Sequence, residues 1–287
     1  MLSALRLIES VKDMSVLFVG DAITDEYHYV RQLGKSPKEP LIPVRWESKE
    51  VFAGGTQAAA NHARTFCRSV KVCTLGPRTS KVRLVDAIDK RKLFEIHHQY
   101  GEQNDDFGFD YDCIVATDFG HGALTDEDVS DLCSRAPYLA VNAQTNSSNI
   151  GFNLITKYRR ADYVVIDEPE ARLAAHDRTS SIETVMAKLA TGCFKKMIVT
   201  LGCNGAVGLD AAIGFKRLPS FGGVPLDTMG AGDAFFAVTA PMSEHGTIED
   251  LLLIGNAAGS LKTQIVGHRK PVTKTDLIEF LNAHGTH

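Results

Sequence analysis

The 287-residue chain has no excess of charge of either sign: 31 Lys and Arg stand against 35 Asp and Glu, a formal net charge of -4. That balance offers no electrostatic footprint for nucleic acid and no acidic tail of the kind that stays unfolded. A CxxC pair is also lacking. Cys67, Cys73, Cys113, Cys133, Cys193 and Cys203 are dispersed without metal-type spacing, most of them in apolar runs, which reads as buried reduced thiols. No apolar run is long enough to cross a bilayer, and the opening MLSALRLIESVKDMS carries acids and no long apolar core, unlike a signal peptide. A cytoplasmic protein with neither nucleic-acid nor membrane partner is expected. Repeats, low-complexity tracts and an interdomain linker are missing too, so residues 1–287 read as a single domain, of ordinary globular composition at 44% hydrophobic and 23% charged.

Short apolar runs bounded by Gly, Asp or Asn recur at Val16–Val19, Val70–Leu75, Cys113–Ala116, Tyr138–Val141, Tyr163–Ile166 and Met197–Leu201. Continuous and rich in Val and Ile, they have the character of strands buried on both faces. Helical patterns lie between the later ones: Thr125–Cys133 behind an acidic start, Pro169–Ala175, and Ile182–Leu189 behind a Ser-Ser cap. That alternation means a parallel sheet with helices on its faces. From Ala231 onward the chain reads as helical, its last helix opening on the capping box Thr273-Lys274-Thr275-Asp276. Two segments, about 27–53 and 80–98, have strand character without helical period, and the only tryptophan, Trp46, lies in the first. They are expected to form a small β lid outside the main sheet.

The densest chemistry lies in Asp227-Thr228-Met229-Gly230-Ala231-Gly232-Asp233. Two glycines flank a small residue at a helix start, which leaves consecutive backbone N–H groups free where the macrodipole adds positive potential. Asp233 sits beside that anion hole, a pairing suited to phosphoryl transfer onto a hydroxyl. A P-loop is excluded because Tyr29 stands where Gly34-Lys35-Ser36 would need its first glycine, and a dinucleotide fingerprint is excluded because Phe235 takes the third glycine position. Gly20-Asp21, with Asp25 beyond, ends a strand either as a solvated turn or as carboxylates facing a ligand crevice. Gly54-Gly55-Thr56-Gln57 opens a small-residue helix that a ligand could approach closely. Asp167-Glu168-Pro169-Glu170 is either a dipole-stabilised helix start or a site for Mg²⁺ and its waters. Gly202-Cys203-Asn204-Gly205 is a strand-end turn after Thr200 that suits nucleotide contact.

In this order the motifs resemble the ribokinase-like (PfkB) carbohydrate kinase family over almost the whole chain. Val19-Gly20-Asp21 with Asp25-Glu26-Tyr27, and Thr117-Asp118-Phe119-Gly120-His121-Gly122, are similar to the kinase half of bifunctional heptose-phosphate kinase/adenylyltransferases, whose second half is not expected beyond the closing helix. The resemblance implies a doubly wound, mainly parallel α/β sheet with a β lid over a sugar. It makes Asp233 the base and assigns the phosphoryl group to the amides of Gly230, Ala231, Gly232 and Asp233. Sugar contacts fall to Asp21, Asp25, Gly54, Gly55, Gln57 and Asp118, and ATP contacts to Thr200, Gly202, Gly205 and Asn256. Asp167 and Glu170 would organise Mg²⁺, and Asp227 and Gly267 would lie near a monovalent cation such as K⁺.

Four departures stand out. Asp167 replaces the Asn of an Asn-x-x-Glu motif, and Ala58 an Asn of the Gly-Gly helix, so that a sugar contact is lost or passes to Gln57. His121 replaces a lysine, with Asn142-Ala143-Gln144 where the family carries Asp-Pro-Lys. Only Pro77-Arg78-Thr79-Ser80 separate Leu75-Gly76 from Lys81, too few for a parallel crossover of roughly a dozen residues. One sheet unit is therefore expected to be missing, its edge open or covered by a partner chain. The expected protein is an ATP- and Mg²⁺-dependent kinase of a sugar or sugar phosphate, a heptose phosphate among the candidates, dimeric through its lid. The alternatives are a related kinase of a nucleoside or fructose phosphate and a catalytically weak sugar- or nucleotide-binding regulator.

Overall fold

The computed structural model describes residues 2–147 and 149–284. The chain opens with helix α1 (Leu2–Ser10) and strand β1 (Ser15–Gln32), and continues through β2 (Val44–Gly54), α2 (Gly55–Ala63), β3 (Ser69–Asp86) and β4 (Lys92–Asn104). Then follow β5 (Cys113–Asp118), α3 (Asp126–Arg135), β6 (Leu139–Ala143), β7 (Ala161–Asp167), α4 (Glu168–Ala174) and α5 (Ile182–Leu189). β8 (Phe194–Thr200), β9 (Ala206–Asp210), β10 (Gly214–Leu218), α6 (Ala231–Thr239), α7 (Ile248–Thr263) and α8 (Lys274–His284) complete it. All six apolar runs recognised in the sequence are strands, and α3, α4 and α5 start within a residue of their sequence signals.

One ten-stranded sheet runs in the order β10-β9-β8-β7-β6-β5-β1-β3-β4, with β2 on the outer half of β1. The pairs β3–β1, β1–β5, β5–β6, β6–β7 and β7–β8 are parallel, and antiparallel pairs close both ends. Side-chain alternation splits the core into two layers. Val16, Phe18, Cys113, Val115, Tyr163 and Val165 pack against α1, α2, α6, α7 and α8. Leu17, Val19, Ile114, Ala116, Val164 and Ile166 pack against α3, α4 and α5. No helix of the described residues is long and apolar enough to cross a membrane.

The lid departs from the expectation of strands outside the main sheet. β1 and β3 each run 18 residues, paired in parallel from Ser15↔Ser69 to Val30↔Asp86 with one register shift between Asp21 and Ile23. Their first halves belong to the buried sheet. Their second halves, flanked by β2 and β4, form the lid. The short Pro77–Ser80 stretch is therefore not the remnant of a lost crossover: β3 continues through it with a register irregularity, and β4 covers the edge that was expected to be open or covered by a partner chain.

Helix α6 is held against α7 by a packing constraint. A Cβ on Gly255 would lie 2.3 Å from the ring of Phe235, two residues beyond Asp233. Gly255→Ala is expected to force the two helices apart and to destabilise the fold by about 1–3 kcal/mol, measured by urea unfolding; unchanged stability would show that this contact does not set the position of α6.

Candidate active site

The loop before α6 folds as its glycines require. Gly230 has φ 74° and caps the helix in the left-handed region, and a Cβ there would lie 3.2 Å from His268 Cε1 and 3.3 Å from Lys262 Cε. Among the described residues the N–H groups of Gly230, Gly232 and Asp233 make no hydrogen bond, and that of Ala231 makes only a long one, 3.4 Å, to Thr228 O. Ala234 N, bonded to Gly230 O at 2.9 Å, starts the helical ladder. Free donors and the positive end of the helix thus point the same way.

Asp233 stands in the first turn of α6, and its Oδ1 accepts from Gln144 Nε2 at 2.5 Å. The same amide nitrogen donates to Asn142 Oδ1 at 2.8 Å, and Asn142 Nδ2 donates to Val165 O at 2.7 Å. The Asn142-Ala143-Gln144 departure therefore has a definite place: it ends β6 with a neutral donor on the carboxylate. Burial raises the pKa of Asp233, and His268, Gln144, Lys262 and Lys81 oppose that rise.

Asp233 shares a cavity of ≈ 220 Å³ with Gly230, Gly232, Gln144, Thr200, Asp167 and Glu170. Asp167 caps α4: its Oδ1 accepts from Glu170 N at 2.8 Å, while Glu170 Oε2 accepts from Asp167 N at 2.8 Å and Glu170 Oε1 from Thr145 N at 2.9 Å. Asn and Asp serve equally well as N-caps, which accounts for the tolerated Asn-to-Asp departure. Burial and then the charge of Asp167 push the pKa of Glu170 up. Three carboxylates line this cavity and no Lys or Arg does. That hard-oxygen set fits a magnesium ion. No trio of His, Cys, Asp or Glu among the described residues converges closely enough to ligate an ion directly, so the fit is one through water and phosphate oxygens.

A second cavity, ≈ 590 Å³, opens from the same place; Asp167, Thr200 and Gly232 line both. It brings together the four residues expected at a nucleotide, Thr200, Gly202, Gly205 and Asn256. Its walls also include Ser220, Gly222 and Gly223, and Gly259, Ser260 and Thr263 of α7, which sequence reasoning missed. Asn256, Gly259, Ser260 and Thr263 are spaced as one face of a helix, and that stripe of small and polar residues was the available signal.

The sugar candidates divide. Asp25 lies on the inner face of the lid, 4% exposed, ion-paired with Arg83 and with Oδ2 3.4 Å from His268 Nε2. Burial alone would raise its pKa; the hydrogen bond from His268 and the charge of Arg83 overcome that and hold it down at about 2. Arg83 also pairs with Glu95 at 2.6 Å. Gly54 lets the chain approach, since a Cβ there would lie 2.2 Å from Asp25 Oδ2, and Gly55 follows as the first residue of α2. Gln57 donates to Asn61 Oδ1 at 3.0 Å. Asp21 and Asp118 are not brought into the pocket. Asp21, 1% exposed, accepts N–H bonds from Phe119 (2.7 Å), His121 (3.1 Å) and Ala123 (3.3 Å), and burial together with Asp118 lifts its pKa to about 6. Asp118 is taken up by Tyr158 (2.8 Å), Lys157 (2.5 Å) and Asn153 (3.0 Å). Both carboxylates hold loops in place. Nothing in their local sequence separates that role from a ligand contact, because either one asks only for a carboxylate at a strand end.

Asp227 and Gly267 meet as expected, Gly267 N donating to Asp227 Oδ2 at 2.9 Å and Met229 N to Asp227 Oδ1 at 3.1 Å. Between the same two segments lies the ammonium of Lys262, which the sequence reading did not single out.

Comparison with known proteins bears on the family and the fold. The family model for pfkB family carbohydrate kinases matches residues 126–275. The bifunctional protein HldE of Citrifermentans bemidjiense is 22% identical over 303 residues, covering 90% of this chain and 62% of that protein, so the chain spans about three-fifths of the length of this relative. Among solved structures, Arabidopsis thaliana ribokinase complexed with ribose and ATP superposes with a TM-score of 0.68 at 16% identity, covering 94% of this chain and 99% of that one. Phosphofructokinase-2 from Escherichia coli in complex with potassium gives 0.70 at 13% identity, covering 95% and 99%.

Arg83→Met leaves Asp25 buried beside His268 alone and is expected to cost about 3–5 kcal/mol of stability, measured by urea unfolding. Because the folded-state pKa of Asp25 is depressed, its contribution is present above the unfolded value near 4 and is lost as pH falls toward 2. Asp25→Asn should remove that part of the acid limb, and an acid-unfolding profile identical to wild type would contradict the assignment.

Proposed function

The chain belongs to the pfkB family of carbohydrate kinases, and on that premise we propose that it transfers the γ-phosphoryl group of ATP to a hydroxyl of a sugar or sugar phosphate. The observation that carries this reading is the junction of the two cavities at Gly232, where free amides and the Asp233 carboxylate meet. ATP in the larger groove presents its terminal phosphate to the amides of Gly230, Gly232 and Asp233. Asp233 takes the proton of the acceptor hydroxyl as its oxygen bonds to phosphorus and the bond to the ADP oxygen breaks. Gln144 holds the carboxylate in line for that transfer. Asp167 and Glu170 are the residues that would hold Mg²⁺ and its waters, which supplies charge neutralisation at the phosphates.

The acceptor lies under the lid, between Asp25 and Asp233. His268 joins the two sides, being close to Gly230 and to Asp25. Lys81, the register partner of Asp25, has no ion pair or side-chain hydrogen bond among the described residues although the charges of Asp25, Glu95 and Asp233 all act on it. This free cation on the inner face of the lid favours a phosphorylated acceptor, the heptose phosphates included, over a nucleoside.

We also propose a homodimer through the outer lid face. Val51, Glu26, Val82 and Ile96 are partners across four strands, and Phe94 lies in the next row. Val51, Phe94 and Ile96 are 50%, 65% and 45% exposed, an apolar area suited to a partner.

Asp233→Asn is expected to lower kcat by about 10³-fold or more with ATP affinity by calorimetry nearly unchanged. Near-normal ADP release would sink the assignment of the base. A panel of sugars, sugar phosphates and nucleosides, read by ADP release, identifies the acceptor; ligand binding without turnover on any of them would favour the regulator instead. Phe94→Asp combined with Ile96→Asp should convert a dimer to a monomer in sedimentation velocity, and a wild-type monomer would dismiss the lid interface.

A further inference from the structure

Lys262, in the last turn of α7, is 0% exposed, and no carboxylate pairs with it among the described residues. Its ammonium donates instead to three backbone carbonyls: Met229 O at 2.7 Å, Gly267 O at 2.8 Å and Ile265 O at 3.3 Å. An ammonium has three donors and no acceptor, so this set satisfies it completely. Burying a charge without a counter-ion is strongly unfavourable unless such contacts replace its hydration. A cage of carbonyl oxygens is also the chemistry by which proteins take up a bare monovalent cation. The resemblance to ribokinase-like kinases implies a monovalent cation near Asp227 and Gly267. The residues present do not fit an added ion, because the carbonyls of both segments are directed at Lys262 Nζ.

We propose that Lys262 is a built-in replacement for the monovalent cation and that this enzyme works without K⁺. The inference rests on reading the 227–233 loop as the anion hole. The ammonium clasps the Met229 carbonyl, which immediately precedes Gly230, to the 265–267 segment. Asp227 fastens the same two segments through the Gly267 and Met229 amides. Gly230 packs directly on the lysine stem, so the peptide presenting the first amide of the anion hole is held from below by a fixed positive charge. Lys262 is thus a positioning residue: it touches neither phosphate nor acceptor, and it lends Asp233 a nearby charge that favours the ionised base.

The test compares wild type and Lys262→Met in tetramethylammonium buffer with and without added K⁺ or NH₄⁺, by ADP release and by thermal melting. Wild-type kcat and melting temperature should not respond to K⁺. Lys262→Met should lose about 10²-fold in kcat, regain part of it with K⁺ or NH₄⁺ but not with tetramethylammonium, and melt higher in K⁺. Marked stimulation or thermal stabilisation of wild type by K⁺ would overturn the proposal, as would a fully active variant in K⁺-free buffer. If the variant does not fold, the response of wild-type melting to K⁺ decides alone. If no acceptor is turned over, the kinase reading has failed separately, and melting still reports whether the cage takes a cation.

Discussion

The parallel pairing of β1 with β3 is the constraint on which the rest of the molecule depends. Over its first residues β1 lies between β3 and β5, deep in the sheet; from Ile23 onward it lies between β3 and β2, in the lid. The exchange of neighbours falls at the register shift between Asp21 and Ile23. There the Asp21 carboxylate collects three amides of the segment that follows β5, which binds the departing strand to the point of departure. A strand that changes partners leaves backbone groups open at the fork, and a buried carboxylate accepting several N–H bonds answers that need. Core and lid are consequently one hydrogen-bonded body, and Asp25, on the lid half of β1, is placed beside Arg83 and His268 by the strand itself.

Charge is distributed across the site in a consistent way. Carboxylates crowd the smaller cavity, where Asp167, Glu170 and Asp233 meet without a basic residue. Cations gather on the lid side and beneath the loop, as Lys81, Arg83 and Lys262. Burial pushes the Asp233 pKa up, while His268, Gln144, Lys262 and Lys81 pull against it. The neutral amide of Gln144 orients that carboxylate without adding a charge.

Much of this was legible in order along the chain. Buried strands announce themselves by continuous Val and Ile, because both faces of a covered parallel sheet are apolar. The caps of α3, α4 and α8 follow from local hydrogen bonding alone, and the turn before α6 from Gly230, whose φ of 74° a side chain would rarely adopt. The lid strands were visible as strands, but not their union with the main sheet. Periodicity reports how a residue is buried, not which strand lies beside it, and the short Pro77–Ser80 stretch looked like a deletion only while a crossover was assumed. Arg83 and His268 were invisible as partners of Asp25 because 58 and 243 residues separate them from it along the chain.

By itself the sequence determined the alternation of strands and helices and the glycine turn before α6, since these rest on interactions within a few residues. Only the tertiary structure decided the partners of the strand-end carboxylates, because Asp21, Asp25 and Asp118 offer the same chemistry and differ only in what surrounds them. Long-range packing gave Asp21 three amides, Asp118 a tyrosine and a lysine, and Asp25 an arginine and a histidine. The place of Lys262 was decided in the same way. A lysine near the end of a helix is ordinarily solvated, and it became an internal cation only when the distant loop at Met229 and the turn directly after its own helix turned their carbonyls toward it.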